Sequence, residues 1–213
     1  MVPLSFKKLN NVLCLGAHAD DIEIGCGGTI LKLVHEQPRV NVWWVVFSAT
    51  AQRRREALAS ARTFLNDAAH QKVVIKNFRD GFFPAQGEAI KEFFEGVKEK
   101  IQPDLVFTHY REDRHQDHRV LSDLAWNTFR DHVILEYEIP KYDGDLGKPN
   151  LYVPLDKELY LRKVEHVCAF FQTQTNKHWF SPDTFLALMR LRGIESASTT
   201  QYAEAFYARK LVL

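Results

Sequence analysis

The chain has 213 residues and a formal net charge of +1 at pH 7, with 46% hydrophobic and 26% charged residues. This length fits one domain, and the small net charge argues against a nucleic-acid-binding surface, which needs a marked basic excess. The longest apolar run, residues 42–47, is far shorter than the roughly 20 residues of a membrane span. We therefore expect a globular protein without a nucleic-acid partner and without a membrane span.

The cysteines and the first residues of the chain predict its location. Cys14, Cys26 and Cys168 form no CxxC pair, and an odd number of cysteines without a framework is typical of a reducing compartment. Residues 1–10 contain polar side chains and lack the apolar stretch of a signal peptide. These features predict a soluble, cytoplasmic protein, and they leave a homo-oligomer open.

Short apolar runs alternate with amphipathic segments along the chain. The predicted strands cover residues 11–16, 40–47, 72–75, 104–108 and 133–137, with an edge strand at 151–154. Residues 203–213 fit a strand or a helix, and their alternation favours a strand. The predicted helices cover residues 27–36, 52–65 and 88–100, a segment ending near 130, then 155–170 and 182–192, the last ended by Gly193. This alternation predicts a Rossmann-like α/β fold, with a mostly parallel sheet flanked by helices. We expect a single domain over 1–213, with a core to about 137 and a small C-terminal elaboration from about 138 that determines substrate specificity.

Two predicted loops combine imidazole and carboxylate side chains, and each follows a strand. The first carries His18, Asp20 and Asp21. The second carries His109, Asp113, His115, Asp117 and His118. If strands one and four are neighbours, both loops meet over one crevice at the carboxyl ends of the strands. Mixed nitrogen and carboxylate ligands favour zinc, or iron or another transition metal, over magnesium, which prefers oxygen. Either loop alone is also typical of helix capping, and His109 is more typical of a histidine that supports a site than of a ligand.

The residues of both loops resemble a known family. The segment AHADDIEIGCGGT, residues 17–29, resembles the AHPDDE-x-GCGGT signature of the LmbE-like, PIG-L-type zinc de-N-acetylases, and HQDH at 115–118 resembles its HxDH motif. Weaker similarities are RRRE at 53–56 to R-x-x-E, and YAEAF at 202–206 to the C-terminal motif of the family. Ala19 replaces the proline and Ile22 the glutamate of the first motif, and neither position is expected to supply a metal ligand.

The resemblance implies a Zn²⁺ cofactor and a role for each motif residue. The implied zinc ligands are His18, Asp21 and His118. Asp20 is implied as the general base. Two adjacent carboxylates do not easily reach one ion, so Asp21 binds the zinc and Asp20 faces the zinc-bound water that attacks the acetamide carbonyl. His115 is implied as the donor to the oxyanion, with Asp117 holding its ring and favouring the cationic form.

The resemblance further implies that the substrate is an N-acetylated amino sugar, N-acetylglucosamine or a conjugate of it. Arg53, Asp113 and Glu138 are candidate contacts to this small molecule. One alternative keeps the metal but cleaves another amide or an ester, and another is a metal-binding protein without turnover. A third is a receiver-like signalling module with magnesium, but residues 76–78 lack the phosphate-accepting aspartate that such a module needs after strand three.

Overall fold

The computed structural model describes residue 6 and residues 9–212, and within them seven strands form one sheet. The strands are β1 (Asn11–Gly16), β2 (Asn41–Val46), β3 (His70–Ile75), β4 (Leu105–His109), β5 (Val133–Tyr137), β6 (Leu151–Pro154) and β7 (Ala203–Ala208). The helices are α1 (Asp21–Glu36), α2 (Ala51–Phe64), α3 (Gly87–Lys98), α4 (Gln116–Thr128), α5 (Lys157–Phe170) and α6 (Pro182–Glu195). Across this described part of the chain, no helix is both long enough and apolar enough to cross a bilayer. Most of residues 1–10, for which we expect no signal peptide, lie outside the described residues.

The order of the strands across the sheet is β3-β2-β1-β4-β5-β7-β6. The strand β1 pairs in parallel with β2 on one side and with β4 on the other, where Cys14 lies opposite Phe107. The predicted α/β class is therefore confirmed, and strands one and four are neighbours, which is the condition for both loops to meet over one crevice. The chain leaves the sheet in different directions from β1 and β4, which opens a crevice at their carboxyl ends.

Helices cover both faces of the parallel part of the sheet. Val12 and Cys14 belong to one apolar cluster, whereas Leu13 and Leu15 belong to the other. Because successive side chains of a strand point to opposite faces, a strand with helices on both sides needs apolar residues at every position. Residues 12–15 are therefore all apolar because β1 is buried on both faces of the sheet.

The last third of the chain extends the same sheet. The strand β7 pairs antiparallel with β5 and with β6, so β6 is the edge strand that the sequence predicts. The last strand is shorter than the predicted range of 203–213, whose final residue lies outside the described part. Residues 138–213 are thus joined to the core through backbone hydrogen bonds to β5.

Two predicted helix boundaries were wrong, both because of glycines. The helix α1 begins at Asp21 instead of 27, and its glycines lie inside it: a Cβ on Gly25 would lie 2.1 Å from Tyr137 Cδ2. The helix α6 continues past Gly193 to Glu195, and a Cβ on Gly193 would lie 2.1 Å from the Gln201 carbonyl oxygen. In both places the glycine permits close packing and does not mark a helix end.

Candidate metal centre

The two loops predicted to carry the chemistry meet at the crevice between β1 and β4. His18 follows β1, Asp21 is the first residue of α1, and His118 lies in the first turn of α4. His18 Nδ1 is 3.2 Å from His118 Nε2 and 3.3 Å from Asp21 Oδ2. The third side of this triangle, from His118 Nε2 to Asp21 Oδ2, measures 3.5 Å.

The size of this triangle fits a small divalent cation. Zinc bonds of 2.0–2.2 Å in a tetrahedron separate neighbouring ligand atoms by about 3.3 to 3.6 Å. Asp21 and His118 are 3% and 2% exposed. Two imidazole nitrogens and one carboxylate oxygen thus converge in a shielded place and leave the remaining tetrahedral position for water or substrate.

Further protein groups position each of the three side chains. His118 Nδ1 lies 2.9 Å from Asp113 Oδ2, and the His18 backbone N–H donates to Asp21 Oδ2 at 2.6 Å. His18 Nε2 lies 3.1 Å from Asp80 Oδ1 and 3.4 Å from Asp117 Oδ2. Imidazole rings that bind a metal through one nitrogen and a carboxylate through the other are typical of metal centres.

His109 packs behind the triangle. Its Nε2 accepts the Ala17 backbone N–H at 3.0 Å, and its ring stacks on that of His118 with centroids 3.9 Å apart. Because the lone pair of Nε2 is engaged by Ala17, this nitrogen is poorly suited to bind a cation. His109 therefore supports the fold of the first loop and the orientation of His118.

The electrostatics of the centre favour a cation. Burial, assisted by His109, lowers the pKa of His118 to about 3, so the ring is neutral at neutral pH. Its Nδ1 faces the Asp113 carboxylate, which favours the hydrogen on Nδ1 and leaves the Nε2 lone pair free. Burial alone would raise the pKa of Asp21, but the surrounding histidines, His118 first, lower it well below its usual range. Burial lowers the pKa of His18, yet Asp21 and the other nearby carboxylates outweigh it and raise that pKa. Carboxylates thus dominate the charge around the triangle.

Asp20 lies beside the triangle with one oxygen engaged and the other free. Its Oδ1 accepts Arg53 Nη2 at 2.6 Å, whereas its Oδ2 is buried and has no hydrogen-bond partner among the described residues. Burial raises the pKa of Asp20, and the Arg53 cation only partly offsets it. Arg53, a candidate contact to the substrate, donates to Asp20 in this structure.

The predicted pairing of Asp117 with the His115 ring was wrong. The Asp117 carboxylate accepts the backbone N–H groups of Gly81 and Phe83, at 2.6 and 3.0 Å. His115 Nδ1 instead accepts the Asp117 backbone N–H at 3.3 Å and caps α4. Burial, with the neighbouring His18, lowers the pKa of His115, so the ring is not held in the cationic form.

The candidate substrate contacts Asp113 and Glu138 are buried carboxylates, and protein groups engage both of them. Asp113 is 2% exposed and accepts from His118, from Lys141 and from the His115 backbone N–H. Glu138 is 5% exposed and binds Arg192 through both oxygens, at 2.8 and 2.9 Å. In this structure both carboxylates are therefore committed to protein partners, and their contact with a substrate stays a prediction.

Sequence reasoning missed three groups around the centre. Asp80 lies beyond the carboxyl end of β3, so the rule that found the other loops could have found it. Lys141 and Lys163 carried no local signal, and the YAEAF motif that contains Glu204 did not reveal the partner of this glutamate. Lys163 Nζ donates to Glu204 Oε1 and to the Ile24 carbonyl, both at 2.6 Å, and Glu204 accepts the backbone N–H groups of residues 28 and 29 in α1.

Comparison with known proteins agrees with the motifs. A family model described as "PIG-L: GlcNAc-PI de-N-acetylase" matches residues 13–129, which include both loops. A protein of Escherichia coli (strain K12) described as "Uncharacterized deacetylase YaiS" is 31% identical over 150 residues, which cover 64% of this chain and 77% of that protein.

Several solved structures share the fold over nearly the whole chain. The N,N'-diacetylchitobiose deacetylase of Pyrococcus horikoshii has a TM-score of 0.74 at 24% identity, covering 96% of this chain and 85% of that chain. The conserved protein TT1542 of Thermus thermophilus has a TM-score of 0.75 at 21% identity, covering 97% of each chain. GalB of Pseudomonas putida KT2440, a 4-carboxy-2-hydroxymuconate hydratase, reaches 0.73 at 16% identity, covering 96% of this chain and 98% of that chain. At these identities the likeness shows the fold alone.

Proposed function

Because the chain belongs to the PIG-L family of GlcNAc-PI de-N-acetylases, we propose that it is a metal-dependent hydrolase that removes the acetyl group from an N-acetylated amino sugar. The observation that carries the proposal is the triangle of His18, Asp21 and His118 beside the free oxygen of Asp20. A cation site, a carboxylate within the same crevice and a hydrogen-bond donor are what hydrolysis of an amide requires.

His18 Nδ1, Asp21 Oδ2 and His118 Nε2 would hold the metal, and the mixed donor set favours zinc. When bound, zinc acidifies water to near neutral pH and polarises a carbonyl as a Lewis acid. The protein supplies the geometry: His18 comes from one loop, His118 from the other, and Asp113 fixes the outer nitrogen of His118.

Asp20 is the proposed general base. Arg53 fixes Oδ1, so Oδ2 is the oxygen that takes the proton of the attacking water. The same oxygen then carries that proton to the leaving amine, so that the amine departs neutral. Burial supports this role, since it raises the pKa of Asp20 and makes the protonated carboxyl a stable intermediate state.

His115 is the proposed donor to the developing oxyanion. Its ring lies beside both metal-binding imidazoles, with centroids 4.8 Å from His18 and 4.6 Å from His118. Because Nδ1 accepts the Asp117 backbone N–H, the neutral ring carries its hydrogen on Nε2. A neutral Nε2–H donor therefore suffices, and no cationic form is needed.

The substrate class is proposed from the family and the relatives. The chitobiose deacetylase acts on an N-acetylated sugar by its name, and the family description names GlcNAc-PI. We propose that residues 138–213 shape the substrate side of a single domain. A cytoplasmic location is proposed because the three cysteines are free. Hydrolysis of another amide or of an ester is the alternative that keeps the same metal site.

A panel of N-acetylated sugars and their conjugates, incubated with zinc-loaded protein, tests the proposal through formation of primary amine. We expect amine and acetate in equal amounts, and loss of both after metal removal by a chelator. The Asp20→Asn variant is the matched control for contaminating activity. Metal-loaded protein that releases no amine from any N-acetyl sugar, but cleaves esters or other amides, would contradict the proposed substrate class.

A further inference from the structure

A buried ammonium group lies directly behind one of the proposed metal ligands. Lys141 Nζ is 3.0 Å from Asp113 Oδ2, the same oxygen that lies 2.9 Å from His118 Nδ1. The Lys141 side chain is only 9% exposed. One carboxylate oxygen therefore joins the imidazole to the cation.

Lys141 also closes the loop that follows β5. Its ammonium donates to Asp145 of the same loop, and Asp145 Oδ2 accepts the Arg114 backbone N–H at 2.7 Å. The far end of the loop is tied down separately, where the Gly147 backbone N–H donates to Glu138 Oε1 at 3.1 Å. The Lys141 ammonium thus links this loop, through Asp113, to the segment that carries His115 and His118.

The side chain of Asp113 depends on this contact. Its Oδ1 is occupied by the His115 backbone N–H, so the position of Oδ2 against His118 is set by the balance between the imidazole and the ammonium. Without the ammonium, Asp113 and Asp145 would be two buried carboxylates facing one space. Their repulsion would move Asp113 away from the His118 ring.

We infer that Lys141 is a positioning residue for the metal centre: by holding Asp113 against His118, it sets how tightly and in what geometry the metal is bound. The inference rests on the proposed metal site. Carboxylates behind metal-binding histidines typically contribute 10- to 100-fold in metal affinity. Lys141 is one contact further out, so the effect of its removal belongs near the lower end of that range.

Lys141→Met and Lys141→Gln test the role, with Lys148→Met as the matched control on an exposed lysine of the same loop. The measurements are the dissociation constant of the metal-free protein for Zn²⁺, by competition with a chromophoric chelator, and the visible absorption of the Co²⁺ form. We expect Lys141→Met to bind Zn²⁺ about 10-fold more weakly, with an altered Co²⁺ spectrum, and Lys148→Met to match the parent. Lys141→Gln keeps a donor without the charge, and we expect weaker binding in it as well.

The outcomes separate this inference from the proposed function. If the parent protein binds no Zn²⁺, the proposed metal-dependent function itself is wrong. If the parent binds Zn²⁺ and a folded variant at position 141 binds it within twofold of the parent with an unchanged Co²⁺ spectrum, the positioning role is wrong. Because Lys141→Gln preserves side-chain polarity, it decides the question even if Lys141→Met does not fold.

Discussion

His18 Nδ1 and His118 Nε2 lie 3.2 Å apart, although 100 positions of sequence separate the two residues. Two imidazole nitrogens gain little from such closeness unless a proton or a cation lies between them. The pairing of β1 with β4 creates the contact. His18 follows the carboxyl end of β1, and His118 lies in the first turn of α4, the helix that follows β4. If both nitrogens bind one metal ion, replacing either histidine should reduce the amount of bound metal.

Replacing His118 tests the ligand set. We expect His118→Ala to lose bound zinc, because two remaining ligands cannot hold the ion in a shielded tetrahedral site. Zinc stoichiometry of the purified variant, measured by mass spectrometry of the metal, checks this. His35→Ala, a change at an exposed histidine of α1, should keep the parental stoichiometry. A fully zinc-loaded His118→Ala protein would contradict the assignment.

Replacing Asp20 separates the base from the ligands. Asp20→Asn should bind zinc as the parent does and lose turnover by about 100-fold or more, since general-base catalysis contributes about that much. The measurements are kcat with the best substrate of the panel and metal content. Asp143→Asn, at an exposed loop position, serves as control. Full turnover in Asp20→Asn would remove this carboxylate from the mechanism.

Replacing His115 tests the oxyanion donor. His115→Ala should lower kcat by about 100-fold while sparing bound metal, because only the transition state carries the charge that the ring stabilises. His115→Ser retains a side-chain oxygen that can cap α4 but lacks the ring N–H, so it distinguishes loss of the imidazole donor from loss of the helix cap. The role is discarded if both variants keep the parental kcat.

Replacing Glu204 tests the anchoring of α1 by β7. Glu204→Gln leaves the Lys163 ammonium, 3% exposed, without a charged partner, and we expect a loss of about 3 kcal/mol in the free energy of unfolding. Urea unfolding of the metal-free protein measures it, with Glu158→Gln at an exposed position as control. The double change Lys163→Met with Glu204→Gln should cost less than the sum of the single changes. Strict additivity would mean that the pair does not act as a unit.

The glutamate of the YAEAF motif has a physical explanation only in the folded chain. In an α-helix the Gly28 N–H faces the Ile24 carbonyl four residues earlier. Here the Ile24 carbonyl also accepts from Lys163, and the Gly28 N–H also donates to Glu204. A motif near the end of the chain therefore holds the helix that begins with Asp21. Local sequence could show the motif, but not the helix to which it binds.

The sequence by itself determined the local features: the apolar runs that become buried strands, the two strand-end loops rich in histidine and aspartate, and the parallel sheet that brings them together. These follow from periodicity and residue type, which act over a few neighbouring positions. Only the tertiary structure decided which charged groups pair. Arg53 binds Asp20, Asp117 holds the loop of Gly81, and Asp113 and Glu138 are buried against Lys141 and Arg192. A carboxylate's partner depends on which distant segments approach it, and burial then makes that pairing obligatory.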